Sequence, residues 1–337
     1  MGNRRFILVR RPQGVPKESD FRIDETAIPE PGEGEIVLRN HYASIDPAMR
    51  GWMDDEPSYL PPVPLGAPMR ATTIGRVHRS RHPDFREGQW VLSMTAIEDY
   101  ACLAPNPFTQ VIDETVTGDV TDYLYLIGAV GLTAYFATVE VGKPKAGETV
   151  LVTGAAGAVG SLVGQIAKLH GCRTIGIAGG PEKCARLVRD YGYDAAMDYR
   201  GKDVSALAAE IREAAPGGVN FIFENVGGPI LDAGLLNIAP HGRVVLCGLI
   251  SEYNHAGERY GTRQLWQLIV HAATIQGFIL TDFIPRFAEG AKVMAAWARE
   301  GKLRHDEHIV EGIDNAYDAL MRLFDGRHDG KLILKLA

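Results

Sequence analysis

The 337-residue chain predicts an α/β protein, with a doubly wound parallel sheet set between two parts of a β-rich domain. Three observations predict it. Residues 1–120 hold short apolar runs punctuated by Pro and Gly; after Thr121 apolar runs alternate with amphipathic segments; and one such run feeds a glycine-rich turn.

The elements follow in order. Residues 6–9, 35–39 and 89–93 read as strands, and helical periodicity is scarce around them. Six more strands are expected at Thr149–Thr153, Arg173–Ala178, Ala195–Asp198, 220–224, 243–247 and 274–278. The segment 161–170 is a helix, with Leu162, Val163, Ile166 and Leu169 on one face and Gly171 as its stop. A second begins with Pro181 in its first turn and stops at Gly192. In the tail, 314–324 reads as helix and 331–336 as strand. The tail should rejoin the first domain, giving a division into 1–125, 126–300 and 301–337.

Composition narrows the function. The net charge of −7 excludes a generic polyanion binder, so no nucleic-acid partner is expected. Apolar runs break well short of the ~18 residues a membrane span needs, and the start lacks a secretion stretch. Cytoplasmic residence without a membrane partner is the expectation. Cys102, Cys172, Cys184 and Cys247 are far apart with no Cys-x-x-Cys pair, which suggests reduced and mostly buried thiols.

The sharpest feature is Thr149-Val-Leu-Val-Thr-Gly154-Ala-Ala-Gly157-Ala-Val-Gly160-Ser161. Small residues there let backbone approach a pyrophosphate while helix amides point at its charge. The alternative is a tight strand-to-helix turn with no ligand. An NAD site usually has Asp or Glu about 20 residues later at the end of the second strand. Here Ala178-Gly179-Gly180-Pro181 stands in its place and Lys183 follows, so a ribose 2′-phosphate meets no carboxylate on that strand end. NADP(H) is favoured, by a charge-assisted bond of roughly 1.5–3 kcal/mol. Tyr199 and Arg200 are neighbours for the same phosphate or the adenine; the other reading of Lys183 is a solvated helix-surface lysine.

Metal-based alcohol oxidation needs a set of Cys and His ligands, and no cysteine precedes Cys102. His305 and His308 lie in a charged segment without a third convincing partner, which reads as a solvated turn. No metal site is assigned. Substrate must then be polarised by hydrogen bonds alone, which suits an activated C=C better than an alcohol.

Together with the glycine loop, Asn225-Val226-Gly227-Gly228, Cys247-Gly-Leu-Ile-Ser-Glu-Tyr-Asn254 and Gln276-Gly277-Phe278-Ile279 resemble the zinc-independent medium-chain dehydrogenases/reductases. The nearest branch is the prostaglandin reductase and alkenal double bond reductase family, with bacterial curcumin reductase-like proteins. The resemblance runs from Ser44-Ile45-Asp46-Pro47 to Gly330-Lys331. It implies a Rossmann domain inserted in a GroES-like barrel, a homodimer, and NADPH-dependent reduction of the double bond of enones and enals, with a small hydrophobic unsaturated carbonyl as substrate. By the same resemblance, Gly157, Ala158, Val159 and Gly160 hold the pyrophosphate, and Lys183 and Tyr199 the 2′-phosphate end. Asn225, Cys247, Gly248, Ile250, Ser251, Tyr253, Phe278, Ile279 and Leu280 line the nicotinamide.

Two departures stand out. Ala48 occupies a place where the family commonly has Tyr, and His328 lies where Asn usually precedes Gly-Lys, so His328 either replaces that cofactor contact or the contact is missing.

Tyr253 is the expected catalytic donor to the carbonyl oxygen, because its turn follows a strand's carboxyl end. Its other reading is packing or cofactor positioning. Met49, Tyr59, Met69, Tyr260 and Trp266 are expected as walls for a flat apolar substrate, or else as core. Asp46 and Arg50 read as structural. Two rival functions are a quinone oxidoreductase and an NADPH-binding sensor or scaffold with little turnover.

Overall fold

The computed structural model describes residues 2–337. The chain forms two compact units, one of residues 1–125 with 307–337 and the other of Leu126–Asp306. In chain order the strands are β1 (Asn3–Leu8), β2 (Phe21–Thr26), β3 (Ile36–Ser44), β4 (Arg70–Ser80), β5 (Trp90–Ala96), β6 (Tyr100–Leu103) and β7 (Gln110–Val111). Then come β8 (Thr149–Thr153), β9 (Arg173–Ala178), β10 (Ala195–Asp198), β11 (Val219–Glu224), β12 (Ile238–Leu246), β13 (Thr274–Gly277), β14 (Glu307–Glu311) and β15 (Lys331–Lys335).

The first unit holds the antiparallel pair β1–β2 and a seven-stranded sheet in the order β14-β15-β3-β4-β5-β7, with β6 on β3. Its core gathers Phe6, Leu8, Met49, Met69, Ile313, Leu320 and Leu334. Strand β15 joins β3 antiparallel, pairing Ile333 with Ser44, so the tail completes the first unit's sheet. Two buried cations hold the connection after β3. Lys331, 1% exposed, donates to the Ile45 carbonyl at 3.0 Å and to Asp46 Oδ1 at 2.8 Å. Arg50 donates to Asp54 at 2.6 Å and to the Gly14 carbonyl at 3.1 Å. Both Asp46 and Arg50 are therefore structural.

The second unit is a six-stranded parallel sheet in the order β10-β9-β8-β11-β12-β13. The strand order reverses between β8 and β11, the crevice where such sheets take ligands. Three strands match their expected limits, but β12 begins at Ile238 rather than 243. The extra residues include Pro240-His241-Gly242, which the register shift between Val219 and Phe221 of β11 accommodates. The helix Ala129–Phe136 was not predicted, because its apolar residues do not fall on one side. Residues 301–306 stay with the second unit rather than the tail. The Arg304 amide donates to Gln165 at 2.7 Å, and Tyr191 donates to Asp306 at 2.7 Å.

One expectation about the cysteines fails. Only Cys172 is buried, Cys184 and Cys247 are partly covered, and Cys102 is exposed because strand alternation turns it outward on β6.

Candidate cofactor and active site

Strand β8 ends in Thr153, and the chain turns through Gly154, at φ 59°, into the helix Ala158–Leu169. The Gly157 amide donates to the Gly154 carbonyl at 3.0 Å. A Cβ on Gly160 would lie 2.5 Å from the Gly154 oxygen and 2.8 Å from the Ala155 Cα. Only glycine lets the helix start this close to the strand, leaving the first-turn amides of a twelve-residue helix above the sheet edge. Ala158 and Val159 are in that turn. The Tyr193 hydroxyl donates to the Gly160 carbonyl at 2.6 Å and braces the helix from behind.

The next strand end differs in character. After Ala178, Gly179 and Gly180 lead into the helix Pro181–Tyr191, with Gly180 at φ +100°. Tyr199 and Arg200 lie over them: a Cβ on Gly179 would sit 3.1 Å from the Tyr199 ring, and one on Gly180 would sit 3.2 Å from Arg200 Nη1. Asp198 Oδ1 accepts the Gly180 and Arg200 amides at 2.8 and 3.0 Å. Burial pushes the Asp198 carboxyl up, but those amides and the cations of Arg200 and Lys202 hold it below its ordinary value. Lys183 is on the first turn of the same helix, half-buried, with Tyr199 40% exposed nearby in sequence. No carboxylate ends β9 itself, though Asp198 of β10 holds the Gly180 amide; Arg200 lies over Gly180, and Lys183 is on the first turn of the helix that follows. That donor set fits a phosphate.

Beyond the crevice the polar groups are buried. Glu224 ends β11 with no exposed surface, and its Oε1 accepts from Thr153 Oγ1 at 2.8 Å, the Val226 amide at 2.6 Å and the Gly227 amide at 2.7 Å. Its Oε2 is buried without a hydrogen bond. Burial pushes the Glu224 carboxyl up, opposed by the Gly227 amide, the Thr153 hydroxyl and the Val226 amide. Asn225 Nδ2 donates to the Thr153 carbonyl at 2.8 Å, and the Asn225 amide donates to the Thr153 hydroxyl at 2.9 Å.

The Cys247 and Gly248 amides donate to the Glu224 carbonyl, and the Ile250 and Ser251 amides to the carbonyls of Asn225 and Val226. Ser251 Oγ adds a bond to Val226 at 2.6 Å. Burial and the Glu224 charge push the Cys247 thiol up to about 12, so it is no thiolate nucleophile at neutral pH. Tyr253 folds back over its own turn: its hydroxyl oxygen accepts the Leu249 amide at 3.2 Å. The Phe278 amide donates to the Leu246 carbonyl at 3.0 Å, joining Phe278, Ile279 and Leu280 to the end of β12.

The remaining predicted residues scatter. Met49 and Met69, each 1% exposed, are core of the first unit rather than walls, as expected of apolar side chains with a full shell of neighbours. Tyr59 is 54% exposed in the first unit, and Ala48 packs against its core. In the second unit Tyr260 donates to Asp232 at 3.1 Å, and Trp266 is 65% exposed. His328 Nδ1 lies 2.8 Å from the Arg322 carbonyl and His308 Nε2 lies 2.7 Å from Arg322 Nη1, so both histidines serve the end of the helix Ala316–Asp325. Among the described residues no group of three or more His, Cys, Asp or Glu is placed to hold a metal ion.

Sequence reasoning missed Glu224 and Thr153. The available signal was a carboxylate ending the apolar run Phe221-Ile-Phe, directly before Asn225-Val-Gly-Gly.

Residues 4–111 match a family described as the N-terminal domain of oxidoreductase, and residues 158–298 one described as zinc-binding dehydrogenase. The chain is 38% identical over 340 residues to an NADPH-dependent curcumin reductase of Escherichia coli (strain K12), covering 99% of this chain and 97% of that one. It belongs to the zinc-independent medium-chain dehydrogenases/reductases. A 2-alkenal reductase (NADP(+)-dependent) of Nicotiana tabacum is 36% identical over 344 residues, covering 100% of this chain and 98% of that one. The crystal structure of CurA in complex with NADPH from Vibrio vulnificus superposes with a TM-score of 0.93, at 37% identity and 99% coverage of both chains. This family member is accordingly an NADP-dependent oxidoreductase, and its six-stranded parallel sheet is of Rossmann type.

Proposed function

We propose that the protein uses NADPH to reduce the C=C bond of α,β-unsaturated ketones and aldehydes. The observation that carries the reading is the turn 247–253, hydrogen-bonded to 224–226 at the carboxyl ends of β11 and β12, with a phenol at its end and no metal-ligand cluster among the described residues. The names of the tobacco and Escherichia coli relatives point the same way, 2-alkenal being by its name an unsaturated aldehyde.

NADPH supplies a hydride when bound. Gly154 to Gly160 and the first turn of the helix Ala158–Leu169 would seat its pyrophosphate, and Lys183, Tyr199 and Arg200 its 2′-phosphate. Asn225 and the turn 247–253 would face the nicotinamide. Hydride arriving at the β-carbon drives charge onto the carbonyl oxygen, which needs a donor. Tyr253 can serve, because its phenol carries a hydroxyl proton to donate and its turn follows the carboxyl end of β12. Replacing it by Phe should cost about 2.7–4 kcal/mol of barrier with NADPH binding intact. Turnover of Tyr253→Phe equal to wild type would remove the residue from the mechanism, and a parallel assay with an enone and a benzoquinone separates the two substrate classes.

We propose further that the enzyme is a cytoplasmic homodimer. Strand β13 leaves one edge of the sheet unpaired, and Leu265, Trp266, Ile269 and Val270 beside it in sequence are 52–71% exposed, an apolar surface that a second copy would cover. Light scattering on wild type and on Ile269→Asp tests this: a dimer split by the substitution supports it, and a wild-type monomer contradicts it. No helix among the described residues is long and apolar enough to cross a membrane.

A further inference from the structure

Glu224 is a carboxylate with no exposed surface at the reversal point of the sheet, and the mechanism above gives it no direct part. Its connections reach three strand ends. Oε1 takes the Thr153 hydroxyl from β8 and the Val226 and Gly227 amides of the turn after β11. Its main-chain carbonyl takes the Cys247 and Gly248 amides that follow β12. Thr153 completes the loop, because its hydroxyl accepts the Asn225 amide while donating to Glu224, and its carbonyl accepts Asn225 Nδ2.

Two further facts argue against a purely structural plug. A plug in an apolar core is better made from Leu or Met, since a buried carboxylate with one oxygen lacking a hydrogen bond is costly. The cost is offset only where the charge has donors to organise. Here they are the amides directly before the helix Gly228–Leu235 and the hydroxyl that orients Asn225. The crowding is tight: a Cβ on Gly227 would lie 3.1 Å from Leu249, and the Ile250 and Ser251 amides bond the carbonyls of Asn225 and Val226, so the two turns are packed and hydrogen-bonded together.

We infer that Glu224 is the positioning residue of the nicotinamide half of the site: through Thr153 and the 226–227 amides it sets the orientation of Asn225 and the register of the turn 247–253. It acts through those groups and touches no reacting atom. The inference rests on the proposed placement of the nicotinamide, and it needs no statement about the carbonyl substrate.

The test uses the full-length protein with NADP+ and with 2′,5′-ADP, which carries the adenosine 2′-phosphate but no nicotinamide. In wild type, NADP+ should slow amide hydrogen exchange across 225–228 and 247–253. In Glu224→Ala that added protection should vanish and the unliganded amides should exchange about tenfold faster or more, while the Kd for 2′,5′-ADP moves less than about threefold, since that end is built on separate strands. Glu224→Gln keeps an acceptor oxygen and should recover part of the protection. Should Glu224→Ala fail to fold, Thr153→Val removes the relay hydroxyl and is read in the same way. Retained NADP+ protection in the variants, or an equal loss of 2′,5′-ADP binding, would overturn the assignment. Absence of NADP+ protection in wild type would instead overturn the nicotinamide placement on which it rests.

Discussion

The two ends of the parallel sheet's carboxyl crest are built on opposite principles. At the β9–β10 end a guanidinium and a phenol are laid over two glycines near the surface, with the Asp198 carboxylate holding the Gly180 and Arg200 amides. At the β8–β11–β12 end they are short, buried and mutually bonded around Glu224. Exposed charges choose among ligands at small cost in stability, since water remains their alternative partner. Buried groups cannot exchange partners cheaply, so they fix geometry instead. On the proposed placement of the nucleotide, the difference teaches that selecting the cofactor and aligning it are separable tasks in this sheet.

The strongest way to break that comparison is to destroy what both halves share. Gly160→Val forces a branched side chain against the Gly154 oxygen and Ala155 backbone, neither of which can rotate away. It should abolish NADPH binding in a fluorescence titration and lower stability by about 1–3 kcal/mol in thermal unfolding. Next in size, Arg200→Ala should weaken NADPH by roughly 10- to 100-fold, from a loss of about 1.5–3 kcal/mol, and leave NADH affinity unchanged. Equal weakening of both nucleotides would mean that the exposed end does not choose.

A smaller effect tests the buried half by analogy in the first unit. Glu98 is half-buried, has Asn3 Nδ2 at 3.3 Å, and is pushed by desolvation up to about 7. Its folded value exceeds the ordinary carboxylate value, so the folded state holds the proton longer than the unfolded state does. Stability attributable to Glu98 is therefore full near pH 4 and declines as pH rises toward 7. Glu98→Gln should gain roughly 1–3 kcal/mol over wild type at pH 8 in denaturant unfolding, and nothing at pH 4.

Much of the nucleotide-binding unit was legible. Alternation and the stops at Gly171 and Gly192 located its strands and helices, because in a parallel sheet covered by helices the apolar periods are long and clean. The glycine loop and the missing carboxylate after β9 pointed at the nucleotide for the same local reason. What stayed hidden depends on distant pairings. Thr153 and Glu224 are 71 residues apart in sequence, and the Lys331 ammonium reaches Asp46 across 285. Met49 and Met69 stayed open between pocket wall and core because a methionine's apolar character does not tell the two apart; the structure puts both in the core.

The central claim is hydride delivery to the β-carbon of an unsaturated carbonyl. It is tested most directly by incubating the enzyme with NADPH deuterated at the transferring C4 position and an α,β-unsaturated ketone, then reading the product by NMR. The account predicts a saturated ketone with deuterium on the β-carbon and the carbonyl intact. An unsaturated alcohol with deuterium on the former carbonyl carbon, or no transfer at all, would contradict it.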